Sequence, residues 1–575
     1  MSQHVFRGLA ASSGIAVASV LVVRDVEIGS EGSGVTPDGP ARAVKALGSV
    51  AADLARLALA ARNGGRDEEA EILEANLLMA EDPSLLVEVE QTAATMPAAA
   101  AVTKVTERHA ALLAELDNEY LAARAADIRH LGQRAARILT GGGAMPRPER
   151  PSIVVARDLG PADVAELELS EGLVVGIALA EGAATSHVAI MARALGLPMS
   201  VALGETLLTA HDAEEAVLDG DNGFLVLDPT TAVRAQAERA IQGLEEERRL
   251  LAATRGLPAV TTDGRELRLL CNAATVAEVD AGLEAGAEGV GLLRTELAFL
   301  EAPRWPSVAD HRAALEWPLA QLDGRVATVR TLDFGADKTP PFLTGIEERG
   351  LRLALSHPSS FVAQLKAILQ TGRDTSLRIL LPLVESERQF RTARSLLVEA
   401  LHEVDWQGPT PELGAMIETP EAAGQAGAIA GVADFLSIGT NDLVQYTLGL
   451  DRELPLATAQ AAADPAVLAL IVRIAEAAHS ANLSVEVCGE AAGELPVTVL
   501  LVGAGIDELS VSPARVDAVR GLVRSISADD ARAAVRSALT ASSAVEALAI
   551  ARELIDAGPS SGTARSDNGL SGVVA

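Results

Sequence analysis

The 575 residues make room for roughly four domains at about 150 residues each. Half of them are apolar (49%) but only 2% are aromatic, so the core must be built from Ala, Val, Leu and Ile. That excludes intrinsic disorder and argues against the stacking platforms of nucleic-acid binders. A net charge of −32 excludes polyphosphate backbones and anionic membranes as general partners, leaving a basic protein or a small anion in a local basic pocket.

The opening stretch MSQHVFRGLAASSG lacks the basic and apolar regions of a secretory signal. No apolar run reaches the ~18 residues of a membrane span. A cytoplasmic protein is expected. Two cysteines, Cys271 and Cys488, cannot form a disulfide framework or a zinc cluster.

GLAASSGIAVASVLVV (8–23) predicts a glycine turn and a β-rich run. From about 40 to 140 the texture turns Ala/Leu/Glu-rich, which predicts about four helices. Ile128, Leu131, Ala135 and Ile138 recur at helical spacing as an apolar stripe, and His109 and His130 are expected on the solvated faces. The break GGGAMPRPERP (141–151) ends this block. β-like runs return at 152–159, 172–179, 199–203 and 216–229, so the helices read as an insert in a small α/β domain. A polar helix at 231–256 follows as a connector.

The last half repeats a short apolar run and a helical stretch. The runs are 267–274, 287–296, 326–334, 377–385, 412–420, 434–442, 483–490 and 507–513, the count and spacing of a (β/α)₈ barrel. The expected organisation is an α/β domain at 1–30 and 146–230, a helical insert at 31–145, a linker helix at 231–256 and a barrel at 257–545. A Gly/Ser-rich tail at 557–575 is expected to be disordered.

A (β/α)₈ barrel carries its site at the C-terminal ends of its strands. Those ends supply Arg294, Arg330, Glu418, Asn441 with Asp442, and Cys488. Arginine forks bind carboxylate and phosphate, and a Glu/Asp pair holds Mg²⁺ beside a phosphate. The set points to a phosphorylated, doubly anionic substrate bound through a metal. Singly, each arginine also reads as a surface ion pair and each cysteine as a small buried filler; Cys271, mid-strand, is read that way outright.

Among nine histidines, His187 stands apart. In EGAATSHVAIMARALGLP (181–198) small residues lead into a helix with an apolar face of Val188, Met191 and Leu195, and Thr185 or Ser186 can cap it. That puts His187 in a first turn, where free N–H groups and the dipole favour a phosphoryl group. A phospho-carrying nucleophile and a plain capping histidine both fit this local pattern.

TSHVAIMAR closely resembles the phosphohistidine signature of the phosphoenolpyruvate-utilising enzymes, and DFLSIGTNDLVQYTLGLDR (434–452) their second signature. GVGLLRTE, VRTLDFGADK, AMIETP and VCGE also match the family's barrel motifs, and the likeness covers about residues 5 to 545. The domain order is similar to that of the family's phosphotransferase branch in sugar uptake. The resemblance implies that His187 takes the phosphoryl group on Nε2. It implies that Arg294, Arg330, Arg452, Arg352, Asn441 and Asp442 bind phosphoenolpyruvate, that Glu418 and Asp442 hold Mg²⁺, and that Cys488 protonates the enolate to pyruvate. It also implies docking of the histidine phosphocarrier HPr on the insert and a homodimer through the barrel. The acidic series Asp67, Glu68, Glu69, Glu71, Glu74, Glu81 and Asp82 is expected to steer that carrier. Three positions depart from the family pattern: Ala183 and Ala336 stand where glycines are usual, and Leu355 where a second arginine is common.

The resemblance also admits other readings. A phosphoenolpyruvate synthase or pyruvate phosphate dikinase needs a nucleotide-grasp domain for which the residues before His187 leave no room. A nitrogen-branch phosphotransferase, or a catalytically silent regulator, remains as the alternative.

Overall fold

The computed structural model describes the chain except for residues 1–2, 25–35, 37, 64–65, 115–118, 142–144, 169–171, 301, 335–338, 347, 451–458 and 558–575. It divides into two compact units, residues up to 246 and residues from 247. The expected tail lies outside the described residues.

In the first unit the Val/Ile/Ala-rich runs form one eight-stranded mixed sheet. Ile15–Val23, Ser152–Ala156, Val174–Leu179 and Met199–Val201 lie side by side in parallel. Glu215–Asp219 and Phe224–Leu227 form a hairpin on the other edge of Ile15–Val23. All five residues of Ser152–Ala156 are buried, as a parallel strand covered on both faces requires.

Among the described residues five helices, not about four, lie between the third and fourth strands: Gly39–Asn63, Asp67–Ala80, Pro83–Ala93, Ala98–Ala114 and Glu119–Leu139. The extra helix has a local cause. Asp82 accepts hydrogen bonds from the amides of Ser84 and Leu85, and Pro83 takes the first helical position, so the chain restarts a helix there. Of the predicted stripe, Ile128, Leu131 and Ala135 are buried but Ile138 is exposed. The helix Thr231–Ala252 is less separate than a connector, since Val233 and Ala237 pack on Val217, Phe224 and Val226.

The second unit is the closed barrel. Glu266–Ala273, Gly289–Leu293, Val326–Arg330, Ser376–Leu381, Glu412–Ile417, Phe435–Ile438, Val485–Val487 and Glu508–Val511 pair in parallel with their neighbours, and the last returns to the first. They coincide with the eight predicted runs. Closure leaves every strand paired on both sides and puts all eight C-terminal ends on one rim. Among the described residues, no helix is long and apolar enough to cross a membrane.

Candidate active site

In the first unit the sequence around His187 folds as its caps dictate. The Ser186 hydroxyl accepts from the Ala189 amide and starts the helix His187–Ala194, with Val188 and Met191 buried beneath it. The His187 ring is mostly buried, and its Nδ1 lies 2.9 Å from Asp127 Oδ2, on the helix Glu119–Leu139. A carboxylate only accepts, so Nδ1 carries the proton and Nε2 keeps its lone pair. Arg124 Nη1 in turn donates to the same Asp127 oxygen at 3.3 Å. This arrangement orients the ring, with Nδ1 toward Asp127 and Nε2 turned away from it.

The helix carrying Asp127 is fixed by buried charges. Arg134 pairs with Asp163 at 3.0 Å and Glu166 at 2.7 Å, and Arg137 with Asp163 at 3.2 Å. Burial works against the Asp163 carboxylate, but Arg137 and Arg134 outweigh it and hold its pKa below the ordinary value. His130 is not solvated as expected. Its ring is nearly buried and its Nε2 lies 3.0 Å from Asp158 Oδ2. Burial disfavours its charged form, yet Asp158, with the charges of Asp163 and Asp127, offsets that and raises its pKa. His109 is half-buried against Glu88.

The acidic series on the insert is also more structural than expected. Glu69 is buried beside Arg66, Glu74 pairs with Arg62 at 2.7 Å, and Asp82 is a helix cap. The side chains of Asp67 and Glu68 lie outside the described residues.

In the second unit the barrel rim gathers a chain of opposite charges. Arg330, at the end of its strand, reaches Glu296 Oε1 at 2.6 Å and Asp333 Oδ2 at 3.2 Å. Arg349 Nη2 lies 3.7 Å from Asp333 Oδ1 and 3.8 Å from Asp442 Oδ2. Asp442 is buried in the first turn of Thr440–Leu448. Glu418 follows the adjacent strand and accepts the Leu383 amide at 2.7 Å. Burial, then the charges of Asp442 and Asp333, push the Glu418 carboxyl well above its usual range.

Arg294 and Asn441 meet at Glu490. Arg294 Nη2 lies 3.5 Å from its carboxylate, and Asn441 Oδ1 accepts its backbone N–H at 3.1 Å.

Cys488 sits among Leu292, Leu380, Met416 and Phe435. Its sulfur accepts the Ser437 hydroxyl at 3.3 Å. Burial, with Glu486 nearby, pushes the thiol up to about 12, so it is a protonated acid and not a thiolate. Cys271 is a buried filler in its strand, also pushed up to about 12 by burial.

The rim thus brings Arg330, Glu418, Asp442 and Cys488 together and places Arg294 and Asn441 on one neighbouring residue. Arg352 is not drawn into this set: its side chain is 61% exposed and pairs with Glu385 at 2.7 Å. Arg452 and Ala336 lie outside the described residues.

Four contributors were missed by sequence reasoning. Glu296 and Asp333 lie inside runs already singled out for their arginines, and Arg349 is three residues before Arg352. Asp127 gives no local signal, because its partner is 60 residues away.

No three His, Cys, Asp or Glu side chains converge as a ready metal cage among the described residues. The donor set at the rim is two carboxylates whose mutual repulsion a divalent cation would relieve. That fits Mg²⁺, which takes one or two carboxylates and fills its shell with water and substrate oxygens.

Family models of the phosphoenolpyruvate-utilising enzymes match three stretches. These are the N-terminal domain at 7–124, the mobile domain at 148–223 and the phosphoenolpyruvate-binding domain at 248–528. The phosphoenolpyruvate-protein phosphotransferase of Staphylococcus carnosus is 32% identical over 95% of this chain and 98% of its own. That of Haemophilus influenzae is 31% identical over 94% and 97%. The multiphosphoryl transfer protein of Rhodobacter capsulatus is 38% identical over 77% of this chain and 54% of its own. With a capped histidine in one unit and an arginine–carboxylate rim with a protonated thiol in the other, the chain belongs to the phosphoenolpyruvate-protein phosphotransferases, the Enzyme I family of phosphoenolpyruvate-utilising enzymes.

Proposed function

We propose that the chain moves the phosphoryl group of phosphoenolpyruvate to His187 Nε2, and from there to a histidine of the carrier HPr, at the head of sugar uptake. The observation that carries this reading is the 2.9 Å contact of His187 Nδ1 with Asp127, which leaves Nε2 free at a capped helix start.

The barrel residues do the rest. Arg294 and Arg330 bind the carboxylate and phosphate of the substrate, with Asn441 beside them. Glu418 and Asp442 hold Mg²⁺, which when bound neutralises charge on the substrate phosphate. A bond forms between Nε2 and phosphorus as the phosphorus–enol oxygen bond breaks. The Cys488 thiol gives its proton to C3 of the enolate, pyruvate leaves, and solvent returns the proton to sulfur. His187 Nε2 then passes the phosphoryl group to the carrier. The expected assembly is a homodimer through the barrel, in the cytoplasm.

Labelling the full chain with ³²P-phosphoenolpyruvate tests the reading. Label in acid-labile, base-stable form should need Mg²⁺, vanish in His187→Gln and move to HPr on its addition. Label that survives in His187→Gln overturns the assignment. A chain that takes label but passes it only to a nitrogen-branch carrier decides for that alternative.

A further inference from the structure

The proton that Cys488 gives up must be replaced at a sulfur buried among Leu292, Leu380, Met416 and Phe435. Two residues earlier in the chain lies a carboxyl with no part yet in the reaction. Glu486 is the middle residue of the strand Val485–Val487 and is buried, and the alternation of a strand puts its side chain on the same face as Cys488. Neither carboxyl oxygen has a hydrogen-bond partner among the described residues. A polar group buried in this way costs free energy, and far more when it is charged.

The neighbouring cations are paired elsewhere. Arg378 donates to Glu508 at 2.6 and 3.1 Å, and Arg268 to the same carboxylate at 3.0 Å. Burial, then the charge of Glu508, push the Glu486 carboxyl well above its usual range against weaker pulls from Arg378 and Arg268, which favours the neutral acid. Gly291 leaves room for it, since a Cβ there would come within 2.2 Å of Glu486 Oε1. Ser437 lies opposite Glu486 in the strand pairing, close enough to act on its carboxyl, and its hydroxyl donates to Cys488 Sγ at 3.3 Å. A single hydroxyl thus stands between the two acids.

We propose that Glu486 re-arms Cys488, supplying a proton through the Ser437 hydroxyl each time the thiol has given its own to C3 of the enolate. This rests on the proposed function and adds a residue that acts through Ser437 and Cys488 without touching substrate. A hydroxyl can release one proton while it takes another. The Ser437 O–H proton passes to the thiolate as the Glu486 O–H proton passes to the Ser437 oxygen. The S–H bond re-forms, serine is unchanged, and Glu486 is left as a carboxylate until water protonates it again. The negative charge moves from an apolar cluster to a place that Arg378 and Arg268 favour. The competing role is a polar filler over Gly291.

The test uses the full chain with Mg²⁺ and compares Glu486→Gln, Ser437→Ala and the double variant with wild type. Equilibrium binding of phosphoenolpyruvate, single-turnover labelling and steady-state pyruvate formation with HPr as acceptor are measured. The first turnover uses the proton already on sulfur, so labelling and Kd should stay within twofold of wild type. Later turnovers need a new proton, so the steady-state rate should fall about tenfold or more and leave a burst of one pyruvate per chain. The double variant should be no slower than the slower single one, because both residues serve one path. Steady-state rates within twofold of wild type overturn the inference. A first turnover that falls as far as the steady-state rate overturns it in favour of the filler. If Glu486→Gln does not fold, Ser437→Ala decides alone: a burst supports the relay and an unaltered steady-state rate overturns it. A wild-type chain that takes no label from phosphoenolpyruvate overturns the functional reading together with this one.

Discussion

Asp127 Oδ2 and His187 Nδ1 stand 2.9 Å apart although 60 residues separate them, and the bond joins the helical insert to the helix that starts at His187. The insert therefore sets which ring nitrogen of His187 carries the proton. Asp127→Asn keeps the shape but lets the amide donate to Nδ1, which moves the ring proton to Nε2. Phosphorylation of His187 should slow by about 10- to 100-fold, with phosphoenolpyruvate and with phospho-HPr alike. Single-turnover labelling from both donors checks this, and a defect with only one donor would place the effect elsewhere.

His130 should make stability depend on pH. Its pKa is raised in the folded chain by Asp158, so the stabilisation is fully present below the ordinary value of 6.5 and fades as pH rises through the folded one. His130→Gln should cost roughly 1–3 kcal/mol near pH 6 and less near pH 9. Denaturant unfolding of both chains at the two pH values measures the difference. An equal cost at both would mean the ring is neutral throughout.

Glu418→Gln should separate stability from function. Burial and the charges of Asp442 and Asp333 raise the Glu418 carboxyl, so its ionisation burdens the fold increasingly as pH climbs above 4.5. Glutamine removes the charge and keeps an oxygen for the Leu383 amide. The ligand-free variant should melt about 2 °C or more above wild type at pH 8, with a smaller gain at pH 5. Labelling by phosphoenolpyruvate should be lost. A variant less stable than wild type at both pH values would refute the charge argument.

The Cys488 thiol, held at about 12, should stay protonated across the working range. Native chain at pH 8 should react with a thiol reagent far more slowly than unfolded chain, which should yield two equivalents. Cys488→Ala should cut pyruvate formation at least a hundredfold with little change in substrate affinity. Near-normal turnover in that variant would reduce Cys488 to packing.

Carrier binding should weaken as salt rises, because an acidic face steers a basic partner and is screened beyond ~10 Å at 0.1 M salt. Several of those acids already serve the fold, so the slope should be shallow. Titration calorimetry with HPr at 50 and 500 mM salt reads it, and an affinity that does not change assigns the acids wholly to structure.

The barrel was legible because each strand is a short apolar run of its own, and five of them end at or just before a residue carrying a charge, an amide or a thiol. The rim residues at those ends could be read one strand at a time. What lay hidden depended on contacts far apart in sequence: Asp127 against His187, and the Arg134–Asp163 pair that fixes its helix. Arg349 and Arg352 show a second limit. Both are arginines of one short stretch, and only the fold sends the first inward and the second out to Glu385. His130 went astray for the same reason, because a polar helix face in sequence is a buried interface once Asp158 closes over it.

The rim also leaves little freedom to change. A Cβ on Gly439 would come within 2.5 Å of Glu418 Oε2, and one on Gly489 within 1.8 Å of Thr440 Oγ1. Neither glycine has an unusual backbone angle, so space alone forbids a side chain. One packs against Glu418 and starts the helix that carries Asp442, and the other directly follows Cys488 in the chain. Random mutagenesis of this barrel should therefore find the helices permissive and these two glycines silent, with even alanine absent among active survivors. Any engineered change of substrate at the rim must come from side chains already there, not from new ones added between them.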